Sequence, residues 1–282
     1  MKKISVYEII TNRIIEQLEK GVVPWRMPWS INGLARNWKS QRAYRGINAM
    51  LLSPGEYLTF KQVKAAGGNV KKGAKGQPIV FWKFIKSENS ETGEEKKYAM
   101  IRYYIVFHID DTEGIESKVI ENEFNHDPIL TAETIVKNYK DCPAVVYAPG
   151  RALYRPKTDE ISVPDINEYK HPEEYYSTLF HELAHSTGHK SRLNRVGIVE
   201  YDGFGSTQYS EEELVAEMTA AMLCGVARIE NTTLENSTAY IGSWLKKFKS
   251  DPRMIVKAGS AAQKAADYIQ GISFEDGDEG EA

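Results

Sequence analysis

The sequence predicts an α+β protein with two domains, residues 1–125 and 126–272, and an acidic tail at residues 273–282 that we expect to be disordered. Three observations support this division. Strand-like and helical runs occur in both parts of the chain. Residues 1–87 carry 16 Lys or Arg and 4 Asp or Glu, whereas residues 88–282 carry 20 and 35. An acidic, weakly periodic segment at residues 115–127 is typical of a connector between them.

The N-terminal part begins with an amphipathic helix. Its apolar face is formed by Val6, Ile9, Ile10, Ile14 and Leu18. No secretory h-region precedes this helix, and no apolar run reaches the roughly 18 to 20 residues of a membrane span. The only cysteines, Cys142 and Cys224, suit a reducing compartment. We therefore expect a cytoplasmic protein without a membrane segment.

Two strands are predicted at residues 80–86 and 100–107. A polar loop at residues 87–97 joins them, so we expect a hairpin. Alternation in the second strand places Arg102 and Tyr104 on the face opposite Ile101 and Tyr103. Arg102 and Tyr104 are therefore candidate ligand contacts.

The basic N-terminal part is rich in aromatic residues, and this combination predicts binding to single-stranded DNA. Cations neutralise phosphates, and exposed bases stack on aromatic rings at about 1 to 3 kcal/mol each. The glycine-rich residues 67–76 are not a phosphate loop, because Ala74 stands where that loop requires Lys, and we interpret them as a basic turn. Any single ring fits a hydrophobic core equally well. The candidate contacts are Trp25, Arg26, Trp29, Trp38, Tyr44, Arg45, Lys71, Lys72, Lys75, Trp82, Arg102 and Tyr104.

The C-terminal part begins with short strand-like runs at residues 144–147, 152–155 and 160–163, before its helices. We expect residues 160–164 to form a sheet edge beside the functional cleft. Such an edge binds extended peptides through backbone hydrogen bonds.

The run His181-Glu-Leu-Ala-His185 is the most informative motif of the chain. On a helix that starts near Pro172 and ends at Gly188, both histidines share one face and can bind one Zn²⁺, or another divalent metal. Glu182 can then take a proton from a zinc-bound water, which is the chemistry of peptide hydrolysis. Two unliganded histidines are the plain alternative. His189 follows the helix stop, and we expect it to point away.

A second predicted helix, starting near Ser210, carries Glu213 and Glu217 on one face. The pair resembles the glutamate-zincin arrangement, which implies Glu213 as the third metal ligand and Glu217 as the acid that orients a histidine. Ser210 and Glu213 also fit a helix capping box, which would leave Glu217 as the ligand. Tyr201 and Tyr209 are candidates for polarising a substrate carbonyl.

Several short sequence motifs, spread over nearly the whole chain, together resemble those of the ArdC-type plasmid antirestriction proteins. They are Pro24-Trp-Arg-Met-Pro-Trp29, Tyr44-Arg-Gly-Ile-Asn48, residues 67–73, the histidine motif extended to His189, and Glu213-Leu-Val-Ala-Glu217. The resemblance implies an N-terminal single-stranded-DNA-binding domain and a C-terminal zincin-like metallopeptidase domain. It also implies a role on plasmids or mobile elements, where the protein shields incoming DNA from host restriction.

We therefore expect an antirestriction protein that binds single-stranded DNA nonspecifically and carries a zinc-peptidase site. Its protein partner would be a restriction-system or DNA-bound protein, either as substrate or as target. The alternative is a pure DNA-binding protein, or an accessory of DNA transfer, whose zinc only stabilises the fold.

Overall fold

The computed structural model describes residues 4–26, 34–88, 95–118, 128–200, 207–229 and 237–273. The N-terminal elements are α1 (Val6–Glu19), β1 (Ala35–Asn37), α2 (Ile47–Leu51), β2 (Gly55–Thr59), α3 (Phe60–Ala65), β3 (Asn69–Val70), β4 (Gln77–Glu88), β5 (Glu95–His108) and β6 (Thr112–Glu113). The C-terminal elements are α4 (Pro128–Asn138), β7 (Ala144–Tyr147), β8 (Leu153–Arg155), β9 (Glu160–Val163), α5 (Pro172–Thr187), α6 (Val196–Val199), α7 (Thr207–Ala227), α8 (Ser237–Ser250) and α9 (Met254–Gln270). Among these helices, none is both long and apolar enough to cross a membrane.

A four-stranded sheet with the order β1-β2-β5-β4 forms the centre of the N-terminal part. The predicted hairpin is confirmed, since β4 and β5 pair antiparallel from Gln77 with Val106 to Glu88 with Glu95. The pairing continues into the expected loop, because backbone hydrogen bonds do not require apolar side chains. Helix α1 starts with a reciprocal capping box, in which Ser5 and Glu8 each bond the other's backbone N–H.

The free edge of β4 is partly closed by a side chain. The Asn48 amide donates to the Val80 carbonyl and accepts from the Val80 N–H, both at 2.8 Å. This amide reproduces the bonds of a neighbouring strand, and it fixes α2 against the sheet edge.

The C-terminal part contains a three-stranded sheet with the order β7-β9-β8. The prediction of an edge at residues 160–164 is wrong, because β9 pairs with β7 on one side and with β8 on the other. Ile161, Ser162 and Val163 are all buried, as in a central strand with both faces covered. The edges are therefore β7 and β8.

One hydrophobic core joins the two parts of the chain. Ile10 and Trp25 belong to the same buried cluster as Leu183 and Ile255. The Trp25 ring lies 5.5 Å, centroid to centroid, from that of Trp244 in an edge-to-face contact. The boundary expected at residue 125 lies outside the described residues. To the two-domain division the structure adds that both parts contribute side chains to one core.

Truncation of Trp25 tests the shared core. We expect Trp25→Ala to lower the free energy of unfolding by about 3 to 5 kcal/mol, because the ring is fully buried and leaves a cavity. Urea unfolding should show one transition that moves as a whole. Phe60→Ala is the control, since this ring is half exposed and its loss should change stability by less than about 1 kcal/mol. If Trp25→Ala shifted the unfolding transition of the N-terminal part alone, the result would contradict the shared core.

Candidate metal centre

Helix α5 places the histidine motif. It has Pro172 at its first position and ends at Gly188, as the sequence predicted. A side chain at Gly188 would meet Ile198 Cγ1 at 2.6 Å and Arg195 Nη2 at 3.0 Å. The glycine therefore allows the following segment, residues 189–199, to pack closely on the end of the helix.

Three donor atoms converge between α5 and α7. His181 Nε2 lies 3.1 Å from His185 Nε2, and Glu213 approaches the same two nitrogens at 3.6 and 3.4 Å. Ligands held about 2.0 to 2.1 Å from one ion at tetrahedral angles are about 3.3 Å apart. Two imidazoles and a carboxylate are also a donor set that suits zinc and similar divalent ions. The three residues therefore fit a single divalent metal.

The electrostatics of the site favour a cation. Burial opposes protonation of the histidines, but Glu213 outweighs it and raises the pKa of both, that of His185 to about 10. Burial also opposes ionisation of Glu213, yet the facing histidines hold its pKa well below the usual range. A metal that binds here must therefore displace protons from the imidazoles.

A second carboxylate, which the sequence did not predict, orients His185. Glu212 Oε1 lies 3.3 Å from His185 Nδ1. Because an ionised carboxylate only accepts, it keeps a proton on Nδ1, so Nε2 is the nitrogen that gives up its proton to a metal. The sequence assigned this role to Glu217, which is buried one turn after Glu213 and faces Cys224. Burial and then the Glu217 charge raise the pKa of that thiol to about 12.

Arg195 compensates the charge of Glu212. Its Nη2 and Nε bond the two carboxylate oxygens at 2.5 and 2.9 Å. The same guanidinium donates to Thr187 Oγ1 at 2.6 Å and to the Ala184 carbonyl at 2.8 Å, which ties it to α5. Together these bonds keep the pKa of Glu212 below its usual range despite its burial.

A cleft of about 1120 Å³ opens in front of the three donors. Strand β8 and the turn after it form one wall, and α6 forms part of another. Glu182 lines the cleft beside the histidines and is almost fully buried. The free edge that the sequence placed at residues 160–164 is supplied here by β8.

The other candidates near the site lie outside the donor group. His189 bonds Ser191 Oγ through Nδ1 at 2.8 Å and is not one of the three donors, but it lines the cleft and so does not point away from it as expected. Tyr201 and the side chain of Tyr209 lie outside the described residues.

The candidate DNA contacts divide into buried and exposed groups. Trp25 is a core residue and not the predicted stacking platform, because Trp244 covers its ring. Trp82 packs against Tyr7, and Trp38 is covered by Lys118, whose Nζ lies 3.7 Å from the ring centroid. Trp29 and the Arg26 side chain lie outside the described residues.

Two further candidates have partners within the protein. Tyr44 is half buried against the small cluster of Ala35 and Tyr57. Arg45 forms an ion pair with Asp267 at 2.5 Å. The exposed candidates are Lys71, Lys72, Lys75, Arg102 and Tyr104. Phe60 and Tyr103 are exposed as well. Alternation placed Tyr103 opposite the candidate contacts, because alternation alone does not separate exposed rings from buried ones.

Two known families match the two parts of the chain. The family described as the N-terminal domain of anti-restriction factor ArdC matches residues 4–107. The family described as zincin-like metallopeptidase matches residues 131–261, which include all three donors. The predicted order of an N-terminal module and a zincin-like domain is thereby confirmed.

Relatives match over almost the whole chain. A DNA primase TraC of Escherichia coli is 32% identical over 295 residues, which are 95% of this chain and 20% of the primase. The chain thus spans about a fifth of that relative. Protein y4eC of Sinorhizobium fredii (strain NBRC 101917 / NGR234) is 31% identical over 291 residues, 94% of this chain and 91% of y4eC.

Solved structures share the fold. The metal-free crystal structure of the antirestriction ArdC protein from plasmid R388 aligns with a TM-score of 0.76 and 34% identity, over 95% of this chain and 97% of that chain. A Mn(II)-bound structure of the same protein aligns at 0.77 and 32%, over 95% and 98%. A protein of this fold therefore binds a divalent ion, which agrees with the donor set found here.

Substitutions of the three neighbouring glutamates test the ligand assignment. We expect Glu213→Gln to abolish stoichiometric metal binding and Glu217→Gln to retain it, because only Glu213 reaches both histidine Nε2 atoms. Glu212→Gln should retain the metal but weaken its affinity by about 10- to 100-fold. Metal content by mass spectrometry and competition with a chelator measure both effects. Metal loss in Glu217→Gln alone would reverse the assignment.

Proposed function

This chain belongs to the family of ArdC antirestriction proteins, and from that premise we propose that it protects incoming DNA of a plasmid or mobile element against host restriction. In this proposal the N-terminal part binds single-stranded DNA nonspecifically in the cytoplasm. The C-terminal part holds Zn²⁺ and hydrolyses a protein encountered on that DNA. The observation that carries the second half is the convergence of His181, His185 and Glu213 beside Glu182.

The DNA-binding half rests on exposed cations and exposed rings in the same part of the chain. Lys71 is anchored by its N–H to the Asp111 carbonyl, which places Lys72 and Lys75 on a protruding turn. Tyr103 and Tyr104 are 45% and 38% exposed, enough to leave ring faces available. Stacking on such rings requires unpaired bases, which favours single strands over a duplex.

The peptidase half rests on the chain's own groups around the cleft. His181, His185 and Glu213 would hold the zinc ion, which when bound lowers the pKa of a water molecule to about 7. Glu182 is placed to accept a proton at its carboxylate and to return it to the leaving amine. The free edge of β8 offers backbone donors and acceptors to an extended substrate.

A second candidate function is supported by the position of the donors. They link α5 to α7, and both helices belong to the core that the two parts share. A metal bound there would stabilise the whole fold. In this function the metal is structural, no protein is hydrolysed, and the coating of DNA alone provides the protection.

Neutralising the protruding turn tests DNA binding. We expect Lys72→Gln with Lys75→Gln to weaken single-strand affinity and to lower the slope of log affinity against log salt by about 1 to 2, since two phosphate contacts are lost. Lys137→Gln with Lys140→Gln, exposed lysines of the other part, is the matched control and should change neither. Fluorescence anisotropy with single-stranded and duplex DNA measures both. Equal affinity for the two forms would contradict the stacking argument.

Glu182→Gln separates the two candidate functions. It should keep metal content and DNA affinity, because the side chain is neither a donor atom of the site nor part of the basic turn. Proteolysis of a casein substrate should fall by about 10²- to 10⁴-fold. We expect protection of transferred DNA in cells to fall with it. Full protection by this variant would favour the coating function.

A further inference from the structure

The mouth of the metal cleft has a charge pattern that the peptidase chemistry does not use. Among the described residues that line the cleft, the exposed charged side chains are all basic. Arg155 pairs with Glu160 at 2.9 Å, and the other three, Arg151, Lys157 and Lys190, form the basic rim. This occurs in the part of the chain where acids outnumber bases by 35 to 20. A rim of one charge sign in a region of the other sign is a candidate recognition feature.

The acids of the cleft lie deeper and are mostly compensated. Glu212 pairs with Arg195, and Glu213 faces the two histidines. Glu182 is the remaining acid and lies on the floor. The cleft therefore has a basic rim, and the acids below it are largely compensated, so acidic residues of a bound molecule are favoured at the rim.

One ion pair connects two of the segments that form the rim. Arg192 donates from Nη1 and Nη2 to the two carboxylate oxygens of Asp159, and from Nε to the Ser186 carbonyl at 2.7 Å. Asp159 ends the turn that carries Lys157, while Arg192 follows Lys190 along the segment after α5. The pair thus links the two segments that carry Lys157 and Lys190, which both line the cleft.

The position of the rim relative to β8 indicates how a ligand would lie. Arg151 precedes β8 and Lys157 follows it, so an extended segment added to the β8 edge would have a cation near each end. Leu153 lies between them on β8, and Ile198 and Val199 of α6 line the same cleft, so an apolar centre of the ligand is suited to it.

We propose that Arg151, Lys157 and Lys190 select polypeptide segments with an apolar centre and acidic flanks as ligands of the metal cleft. The proposal rests on the proposed peptidase function and names its substrate class. A peptide is favoured over nucleic acid, because the β8 edge offers backbone hydrogen bonds at peptide spacing and the lining includes apolar side chains.

The test measures binding in the absence of turnover. Full-length Glu182→Gln protein with zinc is titrated with labelled peptides that share one apolar centre and carry glutamate, glutamine or lysine on both flanks. We expect the glutamate peptide to bind about tenfold more tightly than the glutamine peptide, since three exposed ion pairs are gained. The advantage should shrink as salt is raised.

Substitutions of the rim residues test whether the rim causes the preference for the glutamate peptide. Arg151→Gln, Lys157→Gln and Lys190→Gln combined should remove the tenfold advantage. The control Lys137→Gln, Lys140→Gln and Lys170→Gln removes three exposed lysines outside the cleft and should leave it intact. The single reversal Lys157→Glu should shift the preference toward the lysine peptide.

Two outcomes would overturn the proposal. One is equal binding of the three peptides. The other is a rim variant that loses affinity for single-stranded DNA while its peptide preference is unchanged. Casein cleavage by the unaltered protein is measured in parallel, because it tests the peptidase function independently of the charge preference.

Discussion

The compensation of buried charge between α5 and α7 is the constraint on which the rest of the structure depends. Glu212 and Glu213 are both almost fully buried, and an isolated carboxylate in such a place would be strongly destabilising. Arg195 neutralises Glu212, and the two histidines face Glu213. Breaking either set would leave an uncompensated charge in the centre of the fold.

The segment after α5 compensates this charge and also shapes the cleft. Gly188 lets it turn back closely, which brings Arg195 to Glu212. Three residues earlier, Arg192 reaches Asp159 and fixes the turn after β8. Asp159 has a positive φ of 51°, a conformation that most residues avoid and that this pairing helps to hold. The metal donors and the cleft wall therefore share one support.

The features that were predicted correctly from the sequence depend on residues close to one another in the chain. The ends of α5 and the β4–β5 hairpin follow from caps and alternation, so they were predicted correctly. The contact of Glu212 with His185 depends on how α5 and α7 cross, and no periodicity within either helix contains that information. Likewise, chain order did not reveal that β9 lies between β7 and β8.

The burial of Trp25 shows why the two parts are not independent. A Pro-flanked tryptophan in a basic segment has the composition of a DNA contact, but its ring packs on Trp244 from a helix of the other part. Trp244 in turn donates from Nε1 to the Ser210 carbonyl at 2.9 Å, less than one turn before Glu212 and Glu213 on α7. Packing of the N-terminal part therefore supports the start of the helix that carries Glu213. Because close-packed cores do not deform continuously, removing either part would disturb the other.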